Sequence, residues 1–151
     1  MRKGPRGMLF PASTNKNYSG APVASWFLLL AGFLELVPGC IHYFLPDGGA
    51  GVIAGLDLSR NRTTVLGLFA WTGSVQIPFG LVMILVALRY RSFVPLFLLL
   101  DFTERALMSL ASWVLRPAPG PHHPPEHYAS PVAAVLLAIF FVLSLRESKR
   151  E

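Results

Sequence analysis

Five polar side chains in apolar surroundings, Glu35, Gln76, Asp101, Glu104 and Arg105, are the residues of this sequence best placed to do chemistry. Each falls inside a long apolar run. A charge at mid-membrane costs about 2.5–3.5 kcal/mol on insertion scales, so it is expected to face the interior of a bundle and to find a partner there. Asp101 and Arg105 stand at i and i+4, the spacing at which side chains meet on a helix. Glu35 could reach Arg105 from a different helix. Three acids facing one base would carry a surplus of two negative charges if all were ionised. At least one acid is therefore expected to hold a proton, because desolvation disfavours the charged form. Two kinds of role fit this set: a proton relay or polar pocket, and a buried ion-pair network that holds the helices in register.

Histidine supplies the second set. His122, His123 and His127 lie with Glu126 in the proline-rich stretch HHPPEHY, and His42 is expected near the same face. Imidazole and carboxylate at that density suit Zn or Cu. The spacing is not a standard zinc signature. The alternative is a loop packed over the mouth of a bundle, its histidines bonded to backbone or to Arg116. There is one cysteine, Cys40, so neither an intramolecular disulfide nor a CxxC centre can form.

The elements that must position these groups follow from composition. Of 151 residues, 53% are hydrophobic and only 14% charged, against about 25% charged in an ordinary soluble domain. The composition argues against a soluble enzyme, a disordered chain and a nucleic-acid-binding domain, and for a chain whose main solvent is the lipid bilayer. Four apolar runs, about 23–45, 65–88, 93–115 and 129–145, approach or exceed the roughly 17–25 residues of a membrane-spanning helix. Backbone polar groups in lipid must be satisfied internally, so each run should be helical. The expected architecture is an all-α, four-helix transmembrane bundle between a flexible basic tail over 1–22 and a charged tail over 146–151.

Orientation follows from counting. The two tails and the short RYRS turn carry nine Lys and Arg, and the other side carries three, Arg60, Arg62 and Arg116. Positive residues stay inside, so both termini are expected in the cytoplasm, with the chain in the cell (inner) membrane. Glu35 and Arg105 are each twelve residues into their runs from that side, a depth of ~18 Å at the rise of a helix. Gln76, eleven residues in from the opposite side, reaches a similar level. Gly32, Glu35, Gly39 and His42 form one stripe of the first helix, and its small residues allow close helix approach. Pro38 should kink that helix or free a carbonyl.

Other patterns are weak. Gly49–Ala54 fits a G-x-G-x-x-A string but lacks the preceding strand a dinucleotide site needs. It reads better as a flexible or re-entrant loop with Val52, Ile53, Leu56 and Leu58 at the interface. Val37–Cys40 has the look of a lipoprotein cleavage box, yet the apolar run is too long for a signal peptide and contains Glu35, so an uncleaved first span is expected.

The plan of AGFLELVPGCIHYFLP, GLFAWTGSVQIPFGLVMILVALR and DFTERALMSL resembles the DoxX-like small four-helix bacterial membrane proteins over about Val23 to Leu145. The resemblance implies a four-helix membrane domain, in some cases a subunit associated with oxidoreductases. A second resemblance is to small multidrug-resistance transporters, which also carry an acid near the middle of the first of four helices, here Glu35. The long outer loops and the acids and Arg of the third run depart from that pattern. The expected function is therefore a non-catalytic accessory subunit or interaction module. Its expected company is lipid and a membrane protein partner or a second copy, with no nucleic acid. A small proton-coupled transporter using Glu35 and a metal-binding membrane protein or enzyme using the histidines are the alternatives.

Overall fold

In the computed structural model of the chain, residues 9–117 and 123–147 are described, and all regular structure among them is helical. α1 spans Pro22–Phe44, α2 Arg62–Arg89, α3 Val94–Leu110 and α4 Pro125–Ser144. Three of these, α1, α2 and α4, are long and apolar enough to cross a membrane. α3 passes without a break into a π-helical turn, Ala111–Leu115, and the helical path ends at Arg116.

The boundaries follow local chemistry. Prolines open α1 and α4 and stand in the first turn of α3, positions where a missing N–H removes no helix bond. α2 follows Asn61, whose φ of 55° is a left-handed conformation that Asn tolerates better than most residues. The fourth apolar run is expected from about residue 129, but its helix begins four residues earlier, at Pro125. A proline at the first helical position fixes a suitable φ, so Pro125 starts α4 instead of blocking it. Glu126, His127 and Tyr128 consequently stand on the first turn of a helix.

The helices form two close pairs, α1 with α2 and α3 with α4, with α1 also touching both members of the second pair. The α1–α2 seam is antiparallel and built on glycine. A Cβ placed on Gly80 would lie 2.7 Å from the Gly32 carbonyl oxygen, and one on Gly73 would lie 2.6 Å from that of Gly39. Only glycine allows the backbones this near, and the resulting contact sets the register that brings Gln76 beside Gly39.

At one end of the bundle, here the tail end, the N-terminal segment docks on the α2–α3 turn. Thr14 N–H and Ser13 Oγ donate to the Arg89 carbonyl, Asn15 Nδ2 to that of Leu88, and Tyr90 Oη to that of Pro11. Ala21 N–H donates to the Leu143 carbonyl, so the end of α4 belongs to the same end. Leu28, Met83, Val94, Leu98 and Leu137 are fully buried there and form the apolar core. The outward faces are apolar as well: Trp26, Leu30 and Phe33 on α1, Trp71 and Val75 on α2, Leu99, Leu100 and Leu107 on α3, and Val135 and Ile139 on α4 are exposed.

Candidate functional site

Above the apolar core the interior becomes polar, and Arg105 is its centre. Its guanidinium contacts the Glu35 carboxylate from α1. Its Nε lies 3.5 Å from Asp101 Oδ1, one turn back on α3. Its Nη1 donates to Glu126 Oε1 of α4 at 2.5 Å. One side chain thus joins three helices. Glu35 is completely buried, Asp101 nearly so, and Arg105 is only 9% exposed, while the Glu126 side chain is about half exposed.

Glu104 stands beside this group. Carboxylate oxygens of Glu35, Asp101 and Glu104 all lie within 4.8 Å of one another. Oxygen-only donor sets of this kind suit hard divalent cations. Here, however, the Arg105 guanidinium already supplies positive charge to two of the three carboxylates. Counting Glu126, three carboxyl groups contact the guanidinium and a fourth, Glu104, stands beside two of them, so the cluster keeps surplus negative charge or holds protons.

Gln76 meets the group from α2. Its Oε1 and Glu35 Oε2 are buried and have no hydrogen-bond partner among the described residues. Gln76, Arg105 and Glu126 line a cavity of about 330 Å³ whose wall extends to Gly49, Ile53 and Pro124 at the end opposite the N-terminal segment, here the loop end. Ile41, Phe69, Met108 and Pro124 supply apolar wall. The volume is at the small end of the ~300–1,000 Å³ typical of ligand pockets.

The described histidines fall into two groups, His42 in one and His123 with His127 in the other. His42 Nδ1 lies 2.8 Å from the Gly48 carbonyl oxygen, which only accepts, so this nitrogen donates and ties α1 to the following loop. Glu126 is taken by Arg105 and by Ser130 Oγ, which donates to Oε1 at 2.7 Å. His123 and His127 are paired, Nδ1 to Nδ1, at 3.1 Å, one donating and the other accepting. Trp113 stacks on the His123 ring and donates Nε1–H to the His127 carbonyl at 2.8 Å. His122 lies outside the described residues. The four positions described, His42, His123, Glu126 and His127, are thus divided between a loop bond, an ion pair and an aromatic cluster. Among the described residues they form no group of three ligand atoms.

The loop after α1 is more ordered than its glycines suggest. The Asp47 carboxylate accepts N–H bonds from Gly49, Gly51 and Val52 at 2.9, 3.1 and 2.9 Å. These donors, Val52 and Gly49 foremost, hold the Asp47 carboxyl below its usual range. Ala50 is fully buried, while Val52 projects outward at 86% exposure.

The Arg105–Glu126 bond is the contact of this site that sequence reasoning missed. Its signal was the acid directly after two prolines, a first-turn position once Pro125 is taken as the helix start. Compared with family models, curated proteins and solved structures, the chain matches none.

Proposed function

We propose that the chain is a four-span protein of the cell membrane, with both termini cytoplasmic, that works without catalysis as an accessory subunit or interaction module of the DoxX-like kind. The observation that carries this reading is Arg105, which joins carboxylates of α1, α3 and α4 inside an otherwise apolar bundle. Such a network is costly in lipid unless every charge is turned inward, and it then fixes how the helices pack. Two features support α3 as the fourth span. With its π-helical turn it runs 22 residues, Val94 to Leu115, about 33 Å at the helical rise. Its Asp101 and Arg105 are buried while Leu99, Leu100 and Leu107 point out.

The orientation is supported by the docking of the N-terminal segment, the Arg89–Arg91 turn and the end of α4 at one end, which carries Lys16, Arg89, Arg91 and Arg146 among the described residues. Native purification from membranes tests the functional reading. A stable complex with a second membrane protein is expected, and a lone monomer active in no complex would overturn it.

A second reading, a small proton-coupled carrier, is favoured by one observation. Three carboxyl groups contact one guanidinium beside a cavity and a fourth, Glu104, stands next to two of them, a set of acids able to take up and release protons. Glu35→Gln keeps the size of the side chain and a contact for Arg105 but cannot ionise. In proteoliposomes with an imposed pH gradient and an internal pH dye, the wild type is expected to pass protons and this variant to lose the flux. Equal flux in both removes the carrier reading.

A further inference from the structure

The cavity at the loop end has polar groups of one predominant kind. Gln76 Oε1 is a buried acceptor without a partner among the described residues. His42 gives its Nδ1–H to the Gly48 carbonyl, so in the neutral ring Nε2 is left to accept. Thr72 spends its hydroxyl proton on the Leu68 carbonyl at 2.9 Å. Pro38 has no N–H to give the Leu34 carbonyl on the same stretch of wall. Glu126 uses Oε1 for both Arg105 and Ser130, which leaves Oε2 to accept. On the donor side, apart from the Gln76 amide nitrogen, there is Arg105, and its guanidinium is already engaged by three carboxylates.

We infer that this cavity binds a small organic ammonium, its N–H groups directed at Gln76 Oε1 and Glu126 Oε2 and its apolar body held among Ile41, Phe69 and Met108. Complementarity of both kinds selects this class. An ammonium brings up to three donors to a wall of acceptors. Its charge meets the surplus of carboxyl groups around Arg105, where a carboxylate or phosphate ligand would be repelled. The Phe69 ring, part of the apolar wall, is a favourable neighbour for a cation. A neutral alcohol offers a single donor and no charge. The inference stands apart from the choice between accessory module and carrier, since it concerns what the cavity holds.

The test is calorimetric titration of the full chain in lipid nanodiscs with 2-phenylethylamine, using empty nanodiscs as the blank and 2-phenylethanol and 3-phenylpropanoate as comparison ligands. Saturable binding of the amine alone is expected. Gln76→Leu removes the unpartnered acceptor at similar volume, and Glu126→Gln removes the charge while keeping an oxygen for Arg105. Each is expected to weaken amine binding at least tenfold with the thermal unfolding midpoint retained. The inference is overturned by amine binding no greater than the blank. It is equally overturned by the alcohol or the carboxylate binding as tightly as the amine, or by either folded variant binding the amine as the wild type does.

Discussion

Gly80 of α2 stands so close to Gly32 of α1 that a methyl group on it would lie 2.7 Å from the Gly32 carbonyl oxygen and 2.7 Å from the Leu36 nitrogen. Both obstacles are backbone and cannot rotate away. Gly80→Ala must therefore push the helices apart, and overpacking of this kind costs roughly 1–3 kcal/mol. The comparison is Gly67, on the same helix, where an added Cβ would meet nothing within 4 Å. Gly67→Ala is expected to be neutral or to stabilise by about 0.5–1 kcal/mol, because alanine loses less freedom in a helix. Thermal unfolding of the two variants in one detergent checks the pair. Equal melting would show that the α1–α2 seam is not set by glycine.

Arg105 supplies the second prediction. Replaced by Met, it would leave Glu35 and Asp101 buried without a counter-charge, and breaking a buried pair from one side costs about 3–5 kcal/mol. The triple variant Arg105→Met, Glu35→Gln, Asp101→Asn removes both signs together. It is expected to recover most of the loss, since neutral replacement of a whole buried network is often tolerated. If the single variant melts like the wild type, the network does not hold the helices together.

Much of this arrangement was readable from residue spacing. Asp101 and Arg105 are one turn apart on any helix, and counting residues from the run ends put Glu35 and Gln76 at their level. The glycine stripe on α1 could be read in the same way, because helical periodicity alone puts Gly32 and Gly39 on the face that carries Glu35. Glu126 could not be placed by such counting. Its depth depends on where α4 starts, and a run of prolines can end a helix or begin one. The pairing of Trp113 with His123 and His127 was equally out of reach. It joins residues 10 to 14 apart across the connection, in a geometry set by the π-helical turn at 111–115.

Asp47 gives a pH-dependent prediction outside the spans. Three backbone N–H bonds favour its ionised form and depress its folded pKa below the ordinary 3.8. A depressed acid contributes stability that is fully present above the unfolded value and is lost as pH falls through the folded one. The loop over 47–54 should therefore stay ordered at and above pH 3.8 and loosen only in stronger acid. Carboxyl ¹³C titration of Asp47 by NMR reads the depressed value directly. At neutral pH, Asp47→Ala should speed amide exchange at Gly49, Gly51 and Val52 while leaving the helices protected. Unchanged exchange at those three amides would mean the carboxylate does not organise the loop.

The membrane arrangement can be tested with the single natural cysteine removed. In a Cys40→Ala background, Ser92→Cys places a thiol in the α2–α3 turn, at the end where Thr14 and Asn15 bond the α2 terminus. Ser59→Cys places one in the exposed stretch before α2, at the opposite end. With α3 crossing as the fourth span and the basic end inside, a membrane-impermeant maleimide should label the Ser59→Cys protein in intact cells. It should reach the Ser92→Cys protein only after lysis. Tyr128→Cys adds the decisive third position, because Tyr128 lies 57% exposed on the first turn of α4. Four spans put it on the same side as Ser59. If α3 instead stayed within one leaflet, α4 would begin on the cytoplasmic side and Tyr128→Cys would be protected until lysis. Asp101 and Arg105 of α3, buried beside Glu35, are the physical reason to expect labelling from outside.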